Sequence, residues 1–194
     1  GKMSELRRDP IIGRWVIITT ERGKIHPIHA NISDDKITAS KCPFCPGNES
    51  KTPPEISSFR EPGTKKNEKG WWVRIIPSKS SVLRIEGNVN KRGEGMFDLM
   101  DGIGAHEVVV ESQIHNADYS DLETRQVEEV IWGWRDRVLD LKKDSRFEYI
   151  LVFKNRGEAA GASLTHPHSE IIAMPTVPVR VKQELDGSRN YYDY

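Results

Sequence analysis

The chain has 194 residues, which suffice for one substantial hydrophobic core or for two small domains. Its 29 basic and 29 acidic side chains cancel, so no overall positive field favours nucleic acid as a partner. The sequence contains no apolar run long enough to span a membrane and no signal-peptide core near its first residues, so we expect a cytoplasmic protein without a membrane partner.

Short segments rich in β-branched and aromatic residues predict the strands of the fold. In chain order these segments are 14–20, 71–76, 81–85, 106–111, 148–154 and 169–174. Between the first two of them, residues 41–70 are rich in proline, glycine and charged residues, a composition that is typical of loops. We expect something other than a hydrophobic core to hold this region in place.

The two cysteines of the chain lie in that loop region, as Cys42-Pro43-Phe44-Cys45. A disulfide is disfavoured in a cytoplasmic protein, and a redox dithiol is disfavoured because Pro46 and Gly47 follow where such a site needs a helix. The same spacing suits a zinc knuckle, whose other two ligands would be histidines. Spacing alone does not choose among the six histidines, which are His26, His29, His106, His115, His166 and His168.

One long helix is predicted after residue 120. The sequence Ser120-Asp121-Leu122-Glu123 has the pattern of a capping box, in which serine and glutamate satisfy backbone donors of the first turn. Apolar residues then recur with helical spacing: Val127, Val130, Ile131, Trp134, Val138 and Leu141. Strand-rich segments around a single long helix predict an α+β fold, in which a mainly antiparallel sheet is packed by that helix.

The segment 157–170 carries the strongest functional signal in the chain. It joins a glycine-containing loop to the step His166-Pro167-His168. Small residues let backbone N–H groups approach an anion, and alternation along an extended segment sends both imidazoles to the same side. These features predict a site for phosphoryl chemistry, and the alternative is a surface loop with two solvated histidines.

Several segments, taken in order, resemble one known family. They are residues 5–10, 13–16, 42–49, 104–112, 152–155, 161–163 and 166–168, together with His115. Over nearly its whole length the chain is thereby similar to the galactose-1-phosphate uridylyltransferases, a branch of the histidine triad superfamily. The resemblance implies a histidine-triad-like nucleotidyltransferase domain over residues 1–194, which corresponds to the N-terminal half of a two-domain chain.

The resemblance also implies a metal site and a nucleophile. Family members place a structural zinc ion on residues that match Cys42, Cys45, His115 and His166, and their nucleophile matches His168. Attack by a neutral imidazole on the α-phosphorus of a nucleotide-sugar releases a sugar 1-phosphate and leaves a nucleotidyl-histidine. A second sugar 1-phosphate then collects the nucleotide. The implied partners are therefore a nucleotide-sugar and a sugar 1-phosphate, and the implied assembly is a homodimer.

Further positions match residues that surround the substrate in the family. The residues near the phosphates, where donors stabilise charge on the transferring group, match Arg22, Asn155, Gly161 and Ser163.

Two positions in the expected site depart from the family. Glu170 stands where glutamine is usual, and a charged carboxylate cannot donate to a phosphoryl oxygen. Ser78 stands where asparagine often faces the nucleoside, so the base and the sugar stay open. Two alternative functions follow: an ADP-sugar or dinucleotide phosphorylase that uses inorganic phosphate, and a zinc-stabilised nucleotide-binding module without catalysis.

Overall fold

The computed structural model describes residues 4–19, 38–162 and 164–194. The strands are β1 (Glu5–Arg8), β2 (Trp15–Ile18), β3 (Ser57–Arg60), β4 (Trp71–Pro77), β5 (Arg92–Glu94), β6 (Phe97–Asp101), β7 (Ala105–Val110), β8 (Tyr149–Phe153) and β9 (His168–Met174). The α-helices are α1 (Thr124–Leu141) and α2 (Val179–Tyr192), and single 3₁₀ turns lie at Glu49–Lys51, Tyr119–Asp121 and Glu158–Ala160. Within the described ranges, neither α-helix has the length and apolarity needed to cross a bilayer.

Five of the strands form the sheet that carries the functional site. Their order is β3-β4-β7-β9-β8, and every neighbouring pair is antiparallel. In the register of β7 and β9, Val110 lies opposite His168 and Val108 lies opposite Glu170. Because side chains alternate along a strand, His168 and Glu170 share one face of the sheet, and Ser169 and Ile171 share the other.

The face that carries Ile171 packs against α1. A buried cluster joins strands β4, β7 and β9 to the helix through Val73, Ile75, Ala105, Val109, Val130, Leu141, Ile171 and Ala173. Two polar contacts fix the helix on this face. The Arg137 guanidinium donates to both oxygens of Glu107 at 2.7 Å, and the Trp134 indole donates to Ser169 Oγ at 2.8 Å.

A second, four-stranded sheet has the order β2-β1-β6-β5 and is also antiparallel. Its inner residues Leu6 and Met100 are buried with Leu83, and Ile172 and Met174 of β9 pack against them. Gly104 lies at the start of β7, where a Cβ atom would stand 2.6 Å from the carbonyl oxygen of Ala173. A side chain at position 104 would therefore push β7 away from β9.

The predicted α+β fold, a mainly antiparallel sheet packed by one long helix, is confirmed. The predicted strand over 81–85 is wrong, because that segment makes only an isolated bridge between Arg84 and Ile103. The helix start is also displaced. Its N-cap is Glu123, and the capping box instead joins Asp118 and Asp121 around the 3₁₀ turn before it. Sequence patterns also missed β1, β3, β5, β6 and α2.

Neighbouring apolar residues of α1 differ sharply in burial and give a test of this packing. Val130 is fully buried against the sheet, whereas Ile131, predicted in the same stripe, is 52% exposed. Replacing Val130 by alanine leaves a cavity in the core, so we expect a loss of about 2 kcal/mol in the free energy of unfolding. The matched Ile131→Ala variant should stay within about 0.5 kcal/mol of the parent protein. Urea unfolding measures both values, and equal losses would contradict the described helix orientation.

Candidate active site and metal centre

Two cysteines and two histidines from three separate segments meet at one point. One ligand atom from each of these residues lies within 4.8 Å of every other, and the residues are Cys42, Cys45, His115 and His166. The cysteines come from the loop before β3, and the histidines lie after β7 and before β9. Three of the four residues are buried. The predicted ligand set is therefore brought together, and the cluster could hold a metal ion.

The spacing inside the cluster fits a tetrahedral site. Ligand atoms about 2.0–2.3 Å from a tetrahedral ion lie about 3.3–3.8 Å from one another. Cys45 Sγ lies 3.2 Å from Nδ1 of His115 and 3.5 Å from Nδ1 of His166. The other nitrogen of His166, Nε2, donates to the Ser112 carbonyl at 2.8 Å, which leaves Nδ1 as the ligand atom.

The ionisation of these groups also suits a cation. Burial and the neighbouring Cys42 raise the pKa of the Cys45 thiol to about 11, so the pair needs a positive charge to hold two thiolates at neutral pH. Burial lowers the pKa of His166 to about 4, which keeps this imidazole neutral, as a metal ligand must be.

Hydrogen bonds fix the cysteine loop and attach it to the sheet. The Asn48 side-chain amide donates to the Cys42 carbonyl at 2.7 Å. Glu49 accepts from the backbone N–H of Gly47 at 2.9 Å and from the Trp71 indole of β4 at 2.8 Å. The proline-rich region therefore has ordered anchors besides the thiol cluster, and the expectation that a hydrophobic core does not hold it agrees with these contacts.

A second set of contacts positions Ser112, whose carbonyl orients His166. Glu111 precedes it, is fully buried, and accepts from the Tyr119 hydroxyl at 2.5 Å. The Lys154 ammonium also donates to Glu111, and it lies 4.4 Å from the centre of the Tyr119 ring. Burial and the Glu111 carboxylate raise the pKa of the Tyr119 hydroxyl, so it remains a donor to Glu111. The buried charge on Glu111 is thus compensated by both neighbours.

His168 begins β9 directly after the cluster. Its Nδ1 donates to the carbonyl oxygen of His166 at 2.7 Å, which makes Nε2 the nitrogen with the free lone pair. The ring is 7% exposed, and its centroid lies 5.3 Å from that of Phe44, at 63° between planes. A neutral imidazole held in this tautomer has the electronic form required of a nucleophile.

A cavity of about 690 Å³ opens beside His168. Its lining includes the predicted residues Ser78, Gly161, His168 and Glu170. Gly161 has a φ of +82°, which favours glycine, and among the described residues other than its two chain neighbours no atom lies within 4 Å of the position of a Cβ. The backbone at residue 161 is therefore open to a close approach.

Three predicted phosphate-site residues are not found in the cavity lining: one lies away from it, and two are outside the described residues. Asn155 is exposed in the loop after β8 and is not among the described residues that line the cavity. Arg22 and Ser163 lie outside the described residues, as do the histidines at 26 and 29.

Sequence reasoning missed the four basic side chains of the cavity wall other than His168. Lys41, Lys51 and Lys79 line it and bring positive charge. His106, considered in the sequence only as one of six possible metal ligands, also lines the cavity, and its Nε2 lies 2.5 Å from Glu170 Oε2. Strand parity places His106 on the same face of β7 as Val108, but only the register of the structure sets Val108 opposite Glu170, so the sequence alone gave no signal for this pair.

The fold and the site define an α+β domain in which a cluster that could hold a metal ion lies next to a cavity lined by histidines and lysines. The family described as galactose-1-phosphate uridyl transferase, N-terminal domain, matches residues 2–178, and the chain belongs to this family. This confirms the resemblance that the sequence segments indicated.

The matches to individual relatives include nearly all of this chain but only about half of each relative's length. The chain is 34% identical to ADP-glucose phosphorylase of Arabidopsis thaliana over 193 residues, covering 97% of the chain and 54% of the relative. It is 30% identical to galactose-1-phosphate uridylyltransferase of Thermotoga maritima, covering 98% and 53%. A crystal structure of the Arabidopsis thaliana ADP-glucose phosphorylase with bound ADP-glucose matches with a TM-score of 0.66 at 30% identity, covering 99% and 55%. The chain thus spans about half the length of these relatives.

Removal of one thiol tests the metal centre. We expect Cys45→Ser to reduce bound metal from about one ion per chain to a small fraction, because the site loses one of four ligands. Elemental analysis after dialysis measures the content without a prior choice of metal. His106→Ala is the matched control, since it removes a histidine outside the cluster. Equal metal content in the two variants would contradict the assigned ligand set.

Proposed function

We propose that the protein is a nucleotidyltransferase that moves a nucleoside monophosphate from a nucleotide-sugar to a phosphate-bearing acceptor through a covalent bond to His168. The observation that carries this proposal is the Nδ1–H of His168 donating to the His166 carbonyl at 2.7 Å, which directs the basic Nε2 away from the backbone. The cavity that His168 lines supplies the space for the substrate.

In the first half-reaction, the lone pair of His168 Nε2 forms a bond to the α-phosphorus of the nucleotide-sugar. The bond from this phosphorus to the bridging oxygen breaks, and the oxygen leaves with its electron pair as part of a sugar 1-phosphate. The imidazole gains positive charge as the bond forms. The His166 carbonyl, which already accepts from Nδ1, stabilises that charge without moving.

We propose zinc as the resident metal, because two thiols and two imidazoles form a donor set that zinc prefers in closed structural sites. Cys42, Cys45, His115 and His166 would hold it. With four protein ligands, the ion would have a structural role and would supply rigidity. The His166 carbonyl accepts from Nδ1 of His168, so a ligated His166 would hold the nucleophile two residues further along the chain in place.

The lining of the cavity supports an anionic substrate. Lys41, Lys51 and Lys79 contribute positive charge, and the open backbone at Gly161 lets N–H groups approach phosphate oxygens. Ser78 lines the same cavity and remains a predicted nucleoside contact on the strength of the resemblance. Arg22, Asn155 and Ser163 remain predicted phosphate contacts on the strength of the resemblance, and the homodimer and the cytoplasmic location remain predictions too.

Two acceptors are compatible with the same covalent step. One is a sugar 1-phosphate, as the name of the Thermotoga maritima relative indicates for that protein. The other is inorganic phosphate, as the name of the Arabidopsis thaliana relative indicates for that one. In either case the acceptor oxygen replaces Nε2 at the α-phosphorus.

A trapping experiment tests the covalent step. We expect the protein to become labelled by UDP-glucose or ADP-glucose that is radioactive at the α-phosphate, and the label to be lost in acid, as a phosphorus–nitrogen bond requires. His168→Ala should acquire no label, because the attacking nitrogen is gone.

Two controls make the labelling result decisive. The His168→Ala variant should retain bound metal and cooperative unfolding, which excludes a general loss of structure. A His106→Asn variant removes the other imidazole of the cavity and should still acquire the acid-labile label, although its rate changes. Labelling of His168→Ala would overturn the assignment of the nucleophile. Unlabelled parent protein would overturn the proposal in favour of a binding module without catalysis.

A further inference from the structure

The cavity contains an imidazole–carboxylate pair that the covalent step does not use. His106 Nε2 and Glu170 Oε2 lie 2.5 Å apart, with 13% and 24% of their side chains exposed. Glu170 is on the same face of β9 as His168, two residues further along, so its carboxylate stands about 6–7 Å along the strand from the nucleophile. Both members of the pair line the cavity that His168 lines.

The pair fixes what Glu170 can offer to a ligand. One hydrogen lies in the short contact between Nε2 and Oε2, whether it belongs to the imidazole or to the carboxyl group. In both arrangements any position that Glu170 turns toward the cavity is a lone pair that accepts, because a carboxyl group has about four acceptor positions and at most one hydrogen. Glu170 therefore presents acceptors and no donor to the cavity.

A carboxylate that only accepts hydrogen bonds distinguishes between the two phosphates that could take up the nucleotide. A sugar 1-phosphate is a phosphate monoester whose second pKa is about 6, so at pH 8 its phosphoryl group carries oxygens without hydrogen. Such a phosphoryl group has no hydrogen to donate to Glu170. Hydrogenphosphate, the main form of inorganic phosphate at pH 8, retains one P–OH group. That group can donate to Glu170 while another oxygen attacks.

We infer that Glu170, held by His106, selects inorganic phosphate over sugar 1-phosphates as the acceptor of the nucleotide. The inference rests on the proposed function and assigns its second half-reaction to phosphorolysis. An oxygen lone pair of hydrogenphosphate bonds to the α-phosphorus, the bond from phosphorus to Nε2 of His168 breaks, and the electron pair returns to Nε2. The P–OH hydrogen remains on the new terminal phosphate. The products are a nucleoside diphosphate and free His168.

The lysines of the cavity do not make this distinction. Lys41, Lys51 and Lys79 attract any phosphate, because a point charge responds to total charge and not to the position of a hydrogen. The selectivity therefore depends on Glu170, the one acidic side chain among the described residues of the lining, and position 170 is where a substitution should change it.

The test uses Glu170→Gln, which keeps the size of the side chain and adds an amide donor. Protein labelled at the α-phosphate is isolated and then discharged at pH 8 with inorganic phosphate, glucose 1-phosphate or galactose 1-phosphate. We expect the parent protein to prefer phosphate. In Glu170→Gln the rate constant of discharge by phosphate, divided by that for the sugar 1-phosphates, should fall at least about tenfold. The reason is that the variant loses the hydrogen bond accepted from P–OH and gains one donated by the amide.

Two further variants separate selection from damage to the fold. Glu170→Asp retains an acceptor-only carboxylate and should retain the preference for phosphate, even where its rates fall. Glu61→Gln removes an exposed glutamate outside the cavity and should match the parent protein. Metal content and unfolding of each variant check its structure.

The outcomes distinguish this inference from the function on which it rests. Labelled parent protein with the same acceptor ratio in Glu170→Gln would overturn the inference and leave the covalent transfer standing. Labelled parent protein that prefers a sugar 1-phosphate would also overturn it. Parent protein that acquires no label would overturn the proposed function, and the acceptor assignment with it.

Discussion

The hydrogen bond from His168 Nδ1 to the carbonyl of His166 is the contact on which the site depends. The same residue, His166, directs its own ring into the thiol cluster, with Nδ1 3.5 Å from Cys45 Sγ. One short step of backbone thus connects a cluster that could hold a metal ion to a candidate nucleophile. The proline between the two histidines restricts this step further, because its φ is fixed by the ring. Metal ligation and nucleophile orientation are therefore not independent properties.

The surrounding fold supports this step from both sides of the sheet. On the cavity side, the Ser112 carbonyl holds the His166 ring at 2.8 Å, and the buried Glu111 fixes the backbone before Ser112. On the other side, Trp134 of α1 donates to Ser169, which lies between the nucleophile and Glu170. A site held by packed strands and a helix is more rigid than one carried by loops alone.

Periodicity predicted the α+β fold, because this signal acts over few residues. The ligand set was implied by the family resemblance, since spacing alone did not choose among the six histidines. The pairing of His106 with Glu170 was not predictable in this way, since it depends on the register between β7 and β9, which are 64 positions apart at this contact. Strand β5 was missed because it is exposed along its whole length. Strand β6 was missed because two exposed residues are followed by three buried ones, so its burial does not alternate. Helix α2 has no buried residue, so no apolar stripe marks it.

The position of the hydrogen on the His168 ring can be measured directly. Nitrogen-15 NMR of the imidazole rings in the metal-loaded protein reports which nitrogen of His168 carries hydrogen. We predict hydrogen on Nδ1 and none on Nε2 at neutral pH, because the His166 carbonyl accepts from Nδ1. A spectrum with hydrogen on Nε2, or with both nitrogens protonated, would contradict it.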